Sequence, residues 1–186
     1  MTMKLMQVAL LFAGGLAVAG CQMEGAKTAA PAKKPAAADY QVASTAPAGT
    51  ANKANCYADA DLAVVRARML QQELSVAYLQ CQSAGGARAY EQFYSSFVSK
   101  FTNNGELTAN NRAMQQLSGR KHFNYDVLVT EFANRTAQMV QNDAAFCART
   151  LRAFEWALSP QVTSLAQAPP PYDLGPDMNI NPCTPK

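Results

Sequence analysis

From residue 56 to residue 159 apolar side chains recur at steps of three and four, and this period constrains the chain more than any other feature. Leu62, Val65, Met69, Leu70, Leu74, Ala77 and Cys81 mark a first helix, which Asp59 or Asp61 can cap and Gly85-Gly86 ends. Tyr90, Phe93, Tyr94, Phe97, Val98 and Phe101 then share one face of a second helix. Asn103-Asn104-Gly105 is a turn signal, and Leu107, Met114 and Leu117 support a shorter third helix up to Gly119. Tyr125, Leu128, Val129, Phe132, Thr136, Met139 and Val140 mark a fourth. Asn142 or Asp143 offers a new cap, so Phe146, Cys147, Thr150, Leu151, Phe154 and Leu158 form a fifth helix or prolong the fourth until Pro160 stops it. No stretch alternates with a period of two, so no strands are expected. The predicted fold is all-α, a small bundle of four to five helices over residues 56–159.

The flanks differ in kind. Residues 22–55 are dominated by Ala, Thr, Pro, Lys, Gly and Ser, bury little, and are predicted to stay disordered as a tether. A flexible chain of that length spans ~30–35 Å. Its Lys27, Lys33, Lys34 and Lys53 outnumber Glu24 and Asp39, but a solvated spacer explains them. Residues 160–186 carry Ala168-Pro-Pro-Pro171, Gly175-Pro176 and Asn181-Pro182, which predict an extended strap.

At the other end, Lys4 precedes the uncharged run Val8-Ala19, which is too short for the roughly 20 apolar residues of a membrane-spanning helix. The run ends in Val18-Ala19-Gly20-Cys21, an aliphatic residue, two small residues and a cysteine. This resembles the lipobox of bacterial lipoprotein precursors. The resemblance implies a signal peptide over residues 1–20, a diacylglycerol on the Cys21 thiol, cleavage before Cys21 and acylation of the new amino group. Each buried methylene of an acyl chain contributes ~0.8 kcal/mol, and two or more chains give stable anchoring. Gln22 after the lipidated position, rather than Asp, implies sorting to the outer membrane, facing the periplasm.

With Cys21 acylated, Cys56, Cys81, Cys147 and Cys183 remain in an oxidising compartment. Three pairings are possible. A 20-residue helix is ~30 Å long, whereas bridged Cα atoms lie within ~7 Å, so a continuous first helix separates Cys56 from Cys81. Cys56 is left with Cys147 or Cys183. Antiparallel first and last helices would set Cys81 against Cys147, which favours the nested pairs Cys81–Cys147 and Cys56–Cys183.

Chemical motifs are scarce. Sixteen Lys+Arg against 13 Asp+Glu give a net charge of +3, too little and too scattered for a nucleic-acid surface. No cysteine pair has C-x-x-C spacing and the single His122 sits at a helix boundary beside Arg120 and Lys121, so neither a metal, a haem nor another cofactor is expected. Glu73 and Glu131 lie beside apolar stripes and are weighed as an acid/base pair, with surface placement preferred. Trp156 falls off its helix's apolar stripe and is expected to be partly exposed unless the tail covers it. The aromatic face is core by preference; the alternative makes Tyr90, Tyr94 and Tyr125 the lining of a site for a small apolar ligand. The terminal Lys186 resembles the lysine by which some small lipoproteins join peptidoglycan, but Thr184-Pro185 is not a matching motif.

The expected protein is therefore a lipid-anchored envelope component, not an enzyme, whose helical domain serves another envelope protein as an interaction or structural accessory. A small-ligand module and a wall-directed enzyme are the alternatives. The oligomeric state is left open by the sequence.

Overall fold

A computed structural model describes residues 38–41 and 56–183. The order of elements is α1 (Asp59–Gln80), α2 (Glu91–Asn103), α3 (Glu106–Lys121), α4 (Tyr125–Asn142), α5 (Phe146–Leu158), a 3-10 turn (Leu165–Gln167) and α6 (Leu174–Met178). The described residues hold no strands, only isolated bridges between Tyr57 and Pro182 and between Gln82 and Arg88. None of their helices is long and apolar enough to cross a membrane.

α1 is the axis of the bundle. It packs against α2, α3, α4, α5 and the 3-10 turn, and its buried residues run along its length from Val65 to Ala77. Leu70, Leu74 and Ala77 join Phe97, Phe101, Phe146, Phe154 and Trp156 in one apolar cluster. Val65 and Met69 join Met114, Leu117, Phe132 and Tyr172 in a second. Each fully buried large side chain contributes ~1.5–3 kcal/mol relative to exposure.

The helix ends depart from expectation in instructive ways. Ala58, not an aspartate, is the N-cap residue of α1; Asp59 and Asp61 lie inside its first turn, where carboxylates favour the positive end of the helix dipole. Asp61 also pairs with Arg120 at 2.5 Å. α1 ends at Gln80, before the glycines, which lie in a short loop closed by the Ser83 amide on Ala87 O (2.8 Å) and the Ala89 amide on Cys81 O (3.0 Å). Gly86 takes φ +77°, a left-handed conformation that L side chains rarely adopt. α4 and α5 are separate helices because Asp143 turns extended and its Oδ1 accepts the Ala145 amide at 2.9 Å.

Both favoured disulfides are present. Cys56–Cys183 and Cys81–Cys147 have Cα separations of 4.7 and 5.8 Å. The first of these fastens the tail, together with the Tyr57 amide on Asn181 O (2.8 Å) and the Cys183 amide on Tyr57 O (2.9 Å).

Two corrections concern the flanks. The tail is not extended throughout, because Val162, Leu165, Tyr172, Leu174 and Ile180 give it enough apolar surface to coil onto the bundle and be buried. The Leu165 amide donates to Glu106 Oε2 (2.7 Å), and Lys100 Nζ donates to Ala157 O (2.8 Å) and Ser159 O (2.9 Å), closing the end of α5. The segment read as a free tether also contributes to the body: Ala38–Gln41 is seated on it, with Tyr40 fully buried. The remainder of residues 21–55, with Cys21, and Lys186 lie outside the described residues.

The bridges close loops of 127 and 66 residues, for which the chain-entropy model gives ~4–5 kcal/mol each. A Cys56→Ser/Cys183→Ser variant is expected to unfold at clearly lower urea than the parent, with loss of protection in the tail amides; an unchanged midpoint would contradict the strap's role. Lys100→Met, which strips two carbonyls at the end of α5 of their donor, is expected to lower stability by ~1–2 kcal/mol in the same assay.

Candidate functional site

The described residues bring one unusual chemical group to the centre of the bundle. Glu73 lies midway along α1, where its neighbours Leu70, Leu74 and Ala77 are wholly buried, and it is itself only 1% exposed. Neither carboxyl oxygen has a hydrogen-bond partner among the described residues. Burial pushes its pKa up to about 8, against the attraction of Arg149, so the group is held protonated at neutral pH. The expected surface placement of Glu73 is thus overturned. The buried face of α1 is broad, taking in Val65, Ala67, Met69, Leu70, Leu74 and Ala77, and position 73 falls inside it rather than at its edge.

Arg149 reaches the same region from α5. It is buried and its guanidinium pairs with Asp143 through Nη1, leaving Nε and Nη2 without partners among the described residues. Burial works against the Asp143 carboxylate, but the Ala145 amide and Arg149 outweigh it and hold its pKa below the usual range.

The third member is Tyr40. Burial, then the charge of Glu73, raises the pKa of its phenol, which stays protonated. Its ring lies 5.7 Å from that of Trp156, tilted by 56°, and its hydroxyl donates to Pro169 O at 3.2 Å. Asp39 forms an ion pair with Arg152 (3.4 Å) on the outer side. Trp156 is consequently buried, with 7% exposure, and not the partly exposed side chain expected from its position off the stripe. The first cover for its indole comes from the N-terminal flank, while the tail supplies the carbonyl that holds the tyrosine.

Of the three tyrosines weighed as a ligand lining, Tyr90 and Tyr94 belong to the first cluster and Tyr125 to the second. Tyr90 is core, packed on Phe154 and Phe93, and its hydroxyl donates to Cys147 O at 2.5 Å. Tyr94 stacks on Tyr78 with centroids 4.6 Å apart. Tyr125 packs against the second cluster, with its hydroxyl on Asn111. Glu131 is exposed on α4 and shares no environment with buried Glu73. His122 caps α3 in the left-handed region (φ 57°) and is exposed, as its boundary position suggests.

A separate groove of ~330 Å³ runs between α1, α3 and the 3-10 turn, lined chiefly by Ala63, Ala67, Ala109, Ala113 and Leu165. Its polar member Asn110 is already engaged, donating to Val64 O (2.9 Å) and accepting from Gln71 (3.1 Å). The described residues contain no cluster of His, Cys, Asp and Glu able to hold a metal ion.

The fold and site thus define a small, disulfide-bridged all-α domain with a buried ionisable centre. No model of a known protein family matches the chain, and neither curated proteins nor solved structures contain a match.

Unfolded, Glu73 ionises near the ordinary 4.5, and folded near 8. Its contribution to stability is complete below the lower value and is lost as pH rises to the higher, at ~1.4 kcal/mol per pH unit for one proton. Asp143 acts in the opposite sense and only below the ordinary 3.8. Urea unfolding followed from about pH 5 to about pH 8 is expected to show a falling stability that Glu73→Gln flattens; parallel curves for the two proteins would contradict the assignment.

Proposed function

We propose that the chain is a lipid-anchored protein of the bacterial cell envelope, most simply of the outer membrane facing the periplasm, and that its bridged helical bundle is a non-enzymatic interaction or structural module for another envelope protein. The observation that carries this reading is Val18-Ala19-Gly20-Cys21 at the end of a short uncharged run. The two disulfides agree with it, since such bonds persist in oxidising compartments outside the cytosol. A rigid cross-linked body on a long polar tether is suited to finding and holding a protein partner near a membrane.

A second reading, a binding module for a small apolar ligand, is favoured by the groove between α1 and α3. Native mass spectrometry of the purified domain tests it, a retained small molecule being the supporting result.

The leading reading makes a two-part prediction. Cys21→Ser is expected to move the protein from the detergent phase to the aqueous phase and to abolish fatty-acid labelling. Crosslinking in intact cells is expected to recover one envelope protein reproducibly. Unchanged partitioning would refute the anchor, and the absence of any specific crosslinked product at native expression would refute the partner.

A further inference from the structure

We infer that the Cys56–Cys183 bridge is a thiol–disulfide exchange site, opened by a dithiol that attacks the Cys183 sulfur, and that its opening unclamps the end of the tail while the Cys81–Cys147 bridge keeps the bundle closed. The inference goes beyond the anchor and the interaction module and needs neither, since it draws only on the two bridges and what surrounds them.

The bridges differ in access. Cys183 is exposed and Cys56 half-buried. Cys81, by contrast, is 1% exposed and belongs to the first apolar cluster, with Cys147 packed against that cluster. The backbone around the inner pair is also tied on each side. The Cys81 amide donates to Ala77 O (2.9 Å), the Ala89 amide to Cys81 O (3.0 Å) and the Tyr90 hydroxyl to Cys147 O (2.5 Å). Exchange begins when a thiolate reaches a bridge sulfur, so access decides which bond is labile. The outer bridge offers the exposed cysteine.

Charge favours the same bridge and sets the direction of attack. Lys121 Nζ donates to Cys56 O at 2.5 Å and lies 5.2 Å from the centre of the Tyr57 ring. Its ammonium is thus about one residue's width from the Cys56 sulfur. A cation there draws in an anionic thiolate and stabilises the thiolate that the attack expels.

One thiolate of the dithiol forms a bond to Cys183 Sγ, the Cys56–Cys183 bond breaks, and its electron pair leaves on Cys56 Sγ. The second thiolate of the reagent then attacks the reagent's own sulfur in the mixed disulfide and expels the Cys183 thiolate. The dithiol is oxidised to a disulfide by two electrons, and its two protons pass to Cys56 and Cys183.

With the bond gone, the end of the tail keeps two backbone hydrogen bonds, from the Tyr57 amide to Asn181 O and from the Cys183 amide to Tyr57 O. Upstream, the tail is held independently by buried Val162, Leu165 and Tyr172 and by the Leu165 amide on Glu106. The loosening is therefore confined to the stretch beyond Tyr172.

The test uses the purified, unsubstituted chain in native buffer. It is exposed to dithiothreitol, free thiols are blocked with N-ethylmaleimide at intervals, and the labelled peptides are mapped. Cys56 and Cys183 are expected to label together, at least about tenfold faster than Cys81 and Cys147, with circular dichroism retained. The amides of Tyr57 and Cys183 are expected to exchange hydrogen faster once the bridge opens. Labelling of all four cysteines at one rate, or of the inner pair first, overturns the exchange site; unchanged amide exchange overturns the unclamping. With glutathione as the monothiol and an acid quench, the adduct is expected on Cys183. An adduct on Cys56, or none at a concentration that opens the bridge, overturns the direction of attack. Lys121→Met is expected to slow opening of the outer bridge about threefold, with Lys121→Arg restoring it; an equal or faster rate in Lys121→Met overturns the part given to Lys121.

Discussion

The structure depends on a single helix held at both ends. Cys56, just before α1, is joined to Cys183 at the end of the described tail, and Cys81, just after α1, is joined to Cys147 at the start of α5. With its ends tied to elements distant in sequence, α1 can pack against α2, α3, α4, α5 and the 3-10 turn and carry core residues from Val65 to Ala77. A domain of this size has a modest core, and cross-links that restrict the unfolded chain compensate for what burial alone does not supply. The same arrangement explains how the bundle tolerates an uncompensated carboxyl at its centre. Around Glu73 the scaffold is rigid enough to keep it buried, and the group responds by holding its proton.

Much of the fold was legible in the sequence because its strongest signals are local. The offsets of Tyr90, Phe93, Phe97 and Phe101 specify one helix face, and Phe97 and Phe101 are indeed core. The cysteine pairing followed from helix length: Cys56 and Cys81 flank one continuous helix and cannot meet. What escaped was non-local. Tyr40 is the one aromatic residue in a long run of Ala, Pro and Lys. That isolation was the available signal, but composition averaged over residues 22–55 conceals a single anchored side chain. The tail misled in the same way, since its prolines dominate the eye while Val162, Leu165, Tyr172, Leu174 and Ile180 are the residues that bury.

The site was less legible than the fold. Glu73 was visible as a carboxylate beside an apolar stripe, but the breadth of the buried face depends on how many elements pack on α1, which its own periodicity does not show. Trp156 misled because an off-stripe position implies solvent only when nothing else covers it, and Tyr40 does. The suggested lining of Tyr90, Tyr94 and Tyr125 was drawn from residue type without a geometric reason for convergence; the structure distributes them between two clusters. Among the described residues, Glu73, Arg149 and Tyr40, from three separated stretches of chain, act electrostatically on one another.

The central claim is that α1 is pinned at both ends by two disulfide bridges. A non-reducing peptide map of protein taken from its native cells, with free thiols blocked at lysis, tests it most directly. The account predicts the linked peptides Cys56–Cys183 and Cys81–Cys147 with no alkylated form of these residues. Recovery of the same four cysteines as blocked monomeric thiols, or linked in the crossed pairing, would contradict it.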